Sequence, residues 1–226
     1  MVTFRRDYLA NDHYYHVYTR SIARYIVFND GNEFSRIMEL INLCRFIEFD
    51  YKLSRFKRLQ NSIQAEIAST IKQTGHPLVE IVAYCIMPTH IHLILKQIAE
   101  DGITKFMSRI LNSYSKSFNK SHSRTGPLWS SRFKNVLVTS NEQLLHLTRY
   151  IHLNPTSAGL VNKPEHWDFS SYLEYTEGDK FKNRICEKEG LFDITPKKYQ
   201  RFTNDHKAHQ KELALIKNLL IDNYTG

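Results

Sequence analysis

The strongest regularity in the chain is helical. Ile103, Phe106, Met107, Ile110, Leu111, Tyr114 and Phe118 recur at i, i+3, i+4 and i+7, which predicts an amphipathic helix ending before Ser123 to Gly126. Other stretches read as strands. His13 to Ser21 is rich in aromatic and β-branched residues and runs towards the turn signal Asn29-Asp30-Gly31-Asn32. Phe34, Ile37, Met38 and Ile41 then start a helix, which the charged stretch from Arg45 to Thr74 is expected to continue until Gly75-His76-Pro77. Leu78 to Met87 and His90 to Lys96 predict two adjacent strands joined tightly through Pro88-Thr89. Phe133 to Val138 predicts a further strand, and Asn141-Glu142 opens a third helix that should stop near Asn154, because Pro155 follows.

The order βαββαβα suits an α+β fold of the ferredoxin-like kind. In it an antiparallel sheet carries helices on one face and leaves the other for a ligand. Residues 1–175 read as one domain with a helical insertion at about 45–75, and residues 176–226 as a C-terminal extension. That extension is expected to end in a helix from Glu212 to Asn223.

Composition narrows the class. With 226 residues the chain can bury a full core, and 42% hydrophobic with 12% aromatic residues excludes wholesale disorder. Mean hydropathy is -0.45 with no long apolar run, which argues against a membrane span. The first residues lead into no apolar stretch, so a cytoplasmic location is expected. Cys44, Cys85 and Cys186 are too scattered for a disulfide framework or a paired zinc motif. A net charge of +8 favours a polyanionic partner. The excess is local: Lys105, Arg109, Lys116, Lys120, Arg124, Arg132 and Lys134 fall between Asp101 and Ser140, with Phe106, Phe118, Trp129 and Phe133 among them. Cations interleaved with flat rings suit single-stranded nucleic acid, though a solvated basic face around core aromatics has the same composition.

The candidate chemistry starts at Met87-Pro88-Thr89-His90-Ile91-His92-Leu93. On a strand His90 and His92 point the same way while Ile91 and Leu93 pack beneath, so two imidazoles share one side. Such a pair is half a metal site. On the third helix Tyr150 and Asn154 lie four apart on one face, off the stripe formed by Leu144, Leu145, Thr148 and Ile151. Imidazole nitrogen and amide oxygen can bind magnesium or manganese with positions left open for phosphate oxygens. A tyrosine hydroxyl beside such an ion is a plausible nucleophile for a phosphodiester. Its phenol ionises unaided only near pH ~10, so the metal or a base such as His146 would help.

At these residues the sequence resembles the REP-associated tyrosine transposases and related single-tyrosine transposases of the HUH class. The resemblance runs from about Tyr15 to Tyr172, about two-thirds of the chain. It rests on Tyr15-His16-Val17, Met87 to Leu93, Gly126-Pro127-Leu128-Trp129-Ser130-Ser131-Arg132-Phe133-Lys134, Arg149 to Pro155 with Ala158-Gly159-Leu160, and Trp167 to Tyr172. The resemblance implies a ferredoxin-like fold, a divalent metal (Mg or Mn) on His90, His92 and Asn154, and Tyr150 as the nucleophile. It also implies single-stranded, hairpin-forming DNA as substrate, cut to a 5′-phosphotyrosine link and a free 3′-hydroxyl and then rejoined. Arg20, Lys116, Arg124, Trp129, Arg132 and Lys134 are the candidate DNA contacts.

Some features depart from the family pattern. Thr89 stands where asparagine is common, the Arg45 to Thr74 segment is longer than usual, and nothing in the family answers the tail beyond Lys180. Tyr114 is the rival nucleophile, although it sits in the middle of an apolar stripe with nothing polar at i+4. Two other readings compete: a ferredoxin-like module that holds hairpin DNA or RNA without cutting it, and another metal hydrolase. The latter would want more ligands than Leu93-Ile94-Leu95 supplies. Monomer and homodimer are both left open.

Overall fold

A computed structural model describes residues 8–181, 184–188 and 190–205; the helix expected at Glu212 to Asn223 lies outside them. Four strands form one antiparallel sheet: β1 (Tyr14–Arg20), β2 (Val79–Met87), β3 (His90–Gln97) and β4 (Lys134–Val138), in the order β2-β3-β1-β4. That order and the alternation of helices between strands make the expected ferredoxin-like arrangement. Strand residues alternate cleanly. Tyr15, Val17, Ile91, Leu93 and Leu95 enter one core cluster, whereas Tyr18, Ile94, Val136 and Val138 enter a second on the opposite face.

The first face is covered by α1 (Gly31–Cys44) and α4 (Gly102–Ser121). Asp30 caps α1 by accepting the backbone N–H groups of Asn32 and Glu33, two of the donors that a helix start leaves unpaired. Helix α4 buries the predicted stripe of Ile103, Phe106, Met107, Ile110, Leu111, Tyr114 and Phe118. Its first residue must be glycine, because a Cβ on Gly102 would stand 2.1 Å from the carbonyl oxygen of Leu78.

The stretch from Arg45 to Thr74 is not one continuing helix. After Cys44 the chain leaves α1, makes the single turn α2 (Leu53–Phe56), and only then forms α3 (Asn61–Thr74). The cause is the spacing of its apolar residues. Phe46, Phe49, Leu53 and Phe56 all reach the core beside α1 and α4, which one straight helix could not arrange. Phe46 bridges to Pro77, and the Glu48 carboxylate accepts the backbone N–H of His76 at 2.9 Å, which returns the chain to β2.

The second face is roofed rather than left free for a ligand. Helix α5 (Asn141–Ser157) buries Leu144, Leu147 and Ile151 in the cluster that holds Val82, Cys85, Ile94, Val136 and Val138. It also runs through Pro155 instead of stopping at Asn154. The helix ends two residues later, and the ending is secured by Ala158 N–H on the Asn154 oxygen and Leu160 N–H on the Pro155 oxygen, both 2.9 Å. Two later elements, α6 (Tyr172–Thr176) and α7 (Pro196–Asn204), pack against α5.

Buried polar groups tie these last elements to the sheet. His152 of α5 is held between Tyr199 Oη and Ser171 Oγ, each 2.7 Å away, and burial pushes its pKa down to about 3, so the ring is neutral. The fully buried Glu174 of α6 accepts from Tyr84 Oη at 3.1 Å and from the backbone N–H groups of Ile185 and Cys186 at 3.0 and 2.9 Å. Cys44, Cys85 and Cys186 are buried and unpaired. No described helix is long and apolar enough to cross a membrane.

Glu174→Ala would strand three buried donors at once. We expect a loss of about 2–4 kcal/mol in urea denaturation, with faster proteolysis between Ile185 and Asn204, and a smaller loss in Glu174→Gln. A loss under about 0.5 kcal/mol in Glu174→Ala would show that water satisfies those donors instead.

Candidate active site

The roofed face of the sheet carries the polar residues singled out by the sequence. His90 opens β3 just after the Pro88-Thr89 turn, and its Nδ1 lies 2.9 Å from Thr89 Oγ1. His92 follows on the same face, with ring centroids 5.0 Å apart and planes at 81°. Strand register sets Tyr18 opposite His92 and Arg20 opposite His90. Helix α5 then supplies Tyr150, whose ring stands edge-on to His92 at 5.9 Å and 90°, and Asn154 one turn further on. Tyr150 and Asn154 are each 9% exposed, so both reach the rim of the core.

A third histidine completes the arrangement. His16 of β1 is fully buried and places Nε2 3.0 Å from His92 Nδ1, the two rings stacked at 5.3 Å. Burial, reinforced by His90, His16 and Arg20, holds His92 well below the ordinary imidazole range. Its ring is therefore neutral, with one nitrogen protonated and one a lone pair. With Nδ1 engaged by His16, Nε2 is left buried and has no hydrogen-bond partner among the described residues. Asn154 Nδ2 is in the same condition. Stranding such groups costs about 1–3 kcal/mol each unless a ligand takes them up.

These observations fit a divalent cation. A neutral imidazole whose far nitrogen is hydrogen-bonded is the usual form of a metal-ligating histidine, and turning the Asn154 amide over would present its oxygen where Nδ2 now lies. Among the described residues no group of three or more His, Cys, Asp or Glu side chains is placed to hold a metal, so a cation held by the two histidines would draw on a donor of another kind, such as the Asn154 amide. Two imidazoles and one amide oxygen leave several positions for phosphate oxygens and water.

The remaining candidates are dispersed. Tyr114 lies on the opposite side of the sheet, fully enclosed among core aromatics, with its hydroxyl donating to the Val27 carbonyl oxygen and its pKa raised by burial. Trp129 packs against that same core, and Arg124 secures the turn beyond α4 by donating to Asn119 Oδ1 and the Pro127 oxygen. Arg132 and Lys134 are exposed just before and at the start of β4, and Arg20 is half-buried at the end of β1 beside His90. Lys116 is exposed on α4, behind the sheet from Tyr150. His146 stands one turn before Tyr150 with its ring 5.4 Å from Phe202 of α7.

Sequence reasoning overlooked the roles of His16 and His152. The signal for His16 was the same two-residue alternation that paired His90 with His92, since Tyr14, His16 and Tyr18 share one face of β1. Nothing in the sequence sets the register that brings His16 to His92.

Comparison with known proteins bears on the family and the fold. The family model described as "Transposase IS200 like" matches residues 49–154, a span that includes His90, His92, Tyr150 and Asn154. A REP-associated tyrosine transposase of Haemophilus influenzae is 31% identical over 118 residues, which is 47% of this chain and 67% of that protein. The structure of a REP-associated tyrosine transposase bound to a REP hairpin superposes with a TM-score of 0.50 at 17% identity, covering 87% of this chain and 96% of the other; at that identity it supports the fold alone. At 31% identity over two-thirds of that relative's length, this chain belongs to the REP-associated tyrosine transposases.

Proposed function

We propose that the protein cuts and rejoins single-stranded, hairpin-forming DNA through a covalent link to Tyr150. The observation that carries this reading is the position of the Tyr150 ring, edge-on to a neutral, buried His92 whose Nε2 has no hydrogen-bond partner among the described residues. A divalent ion, Mg or Mn, held by His90, His92 and Asn154 would supply Lewis-acid polarisation of the scissile phosphate. The chain's own part is orientation. His16 fixes the ring of His92 through the contact of its Nε2 with His92 Nδ1; in the tautomer that leaves Nε2 a lone pair for the ion, His92 Nδ1 donates to His16. Helix α5 holds Tyr150 and Asn154 on one side, so that the nucleophile and the third donor move together.

In cleavage, the Tyr150 oxygen forms a bond to phosphorus as the bond from phosphorus to the 3′-oxygen breaks. The phenol gives up a proton and the departing 3′-oxygen takes one up. The 5′-phosphate stays on the tyrosine. Rejoining reverses these steps with another 3′-hydroxyl, and the energy of the ester is retained, so no nucleotide cofactor is required.

The adduct is directly testable. End-labelled hairpin-bearing DNA incubated with the protein and manganese should give a protein-linked band in denaturing gels, absent in Tyr150→Phe and retained in Tyr114→Phe. Persistence of the band in Tyr150→Phe would exclude Tyr150, and hairpin binding with no adduct under any metal would favour a binding module.

The role of His16 has its own readout. Calorimetric titration with manganese should show binding weakened about 10- to 100-fold in His16→Ala, partly restored in His16→Asn, and lost in His92→Ala. Equal affinity in His16→Ala and the unaltered protein would remove His16 from the site.

A further inference from the structure

On the side of the sheet away from Tyr150, a cleft of about 450 Å³ opens between α1, the chain that follows it, and α4. Six cations line it: Arg36 from α1, Lys52 and Arg58 from the segment around α2, and Arg109, Lys116 and Lys120 from α4. Asp50 is the one acid in its lining. The α4 contribution is a continuous stripe, since Arg109, Asn112, Ser113, Lys116, Ser117 and Lys120 recur at helical spacing opposite the buried stripe of that helix. From Arg109 to Lys120 the stripe runs on the order of 16 Å along the helix.

A merely solvated basic face would scatter its charges or pair them. Lys57, just outside the cleft, does pair, with Glu39. Among the described residues Lys52, Arg58, Lys116 and Lys120 have no ion-pair partner, and Arg36 Nε is buried without a hydrogen bond. Cations brought together from three separate elements repel one another, and an extended polyanion would relieve that repulsion along the whole stripe. Tyr51 stands 44% exposed on the rim beside Lys52 and offers a flat face to a base. The outer wall, carrying Lys52 and Arg58, comes from the Arg45 to Thr74 segment, so this cleft is built by the part of the chain that departs from the family pattern.

We infer that this cleft binds the sugar-phosphate backbone of the DNA substrate outside the reacting phosphate, as a second contact region behind the sheet. The inference rests on the proposed function in taking DNA as the polyanion. It assigns Arg58, Lys116 and Lys120 to affinity and not to chemistry.

The test compares Arg58→Gln/Lys116→Gln/Lys120→Gln with the control Lys72→Gln/Lys163→Gln/Lys198→Gln, which removes equal charge from exposed positions elsewhere. Fluorescence anisotropy with a hairpin-bearing single-stranded DNA is read across a salt series. The cleft variant should bind about 10- to 100-fold more weakly near physiological salt, with a slope of log affinity against log salt flatter by about 2, and the control should stay close to the unaltered protein. Manganese binding should be unchanged in both variants. Unaltered affinity and slope in the cleft variant would overturn the inference while leaving the proposed function standing, and so would an equal loss in the control, which would reduce the effect to net charge. If the unaltered protein binds no hairpin DNA, both readings fall together.

Discussion

Packing α5 on the sheet buries Leu144, Leu147 and Ile151 against Val82, Cys85, Ile94, Val136 and Val138, and the same contact carries Tyr150 to within 5.9 Å of His92. The proposed nucleophile Tyr150 lies on α5 and two of the three proposed ligands on β3, far apart in sequence, so no local interaction can hold them in register. The apolar contact does so instead. Burial on this scale contributes about 1.5–3 kcal/mol for each large aliphatic side chain, so that together these residues outweigh any single hydrogen bond at the site. Placement of Tyr150 is therefore a consequence of core packing, and the polar groups then refine it.

The same roof explains the electrostatics beneath it. Excluding water from the β1 and β3 histidines makes protonation of His92 unfavourable, so the ring is kept as a neutral donor without help from a carboxylate. His16 then does for His92 what a carboxylate or carbonyl often does for a metal-binding histidine. An imidazole partner is weaker but leaves the face free of negative charge, which suits the proposed approach of a phosphodiester. The C-terminal extension contributes from outside. His152, Tyr199 and Thr148 form one buried chain of hydrogen bonds that fixes α5 against α7, so the tail beyond Lys180 helps hold the helix that bears Tyr150.

Much of this was legible in the sequence where periodicity is strong. The α4 stripe, the strands and the shared face of His90 and His92 all follow from side-chain direction within one element. What failed were inferences that need tertiary context. A run of charged residues from Arg45 to Thr74 resembles helix, yet Phe46, Phe49 and Phe56 are spaced for a folded-back loop whose partners cannot be known in advance. Pro155 signals a stop, yet α5 continues two residues past it before it ends. The roof over the second sheet face was missed because the apolar side of α5 does not announce which surface it will cover. His16 was missed for the corresponding reason, since cross-strand register is not written in either strand alone.

Register also binds chemistry to stability in β3. Ile91, Leu93 and Leu95 fill the core beneath α1 and α4, while His90 and His92 alternate with them on the roofed face. A slip of one residue would drive both histidines into the apolar core and expose the aliphatic residues at the site, so the slipped form loses burial and chemistry together. Pairing with β1 on one side and β2 on the other excludes that slip along the length of the strand. The irregularity between Ile81 and Ala83 falls well away from His90, so β2 regains regular pairing before it reaches the histidines. A site built on the start of a central strand thus inherits the rigidity of the core, and the more open positions lie at its edges: the exposed residues ahead of β4 and the rim near Asn154.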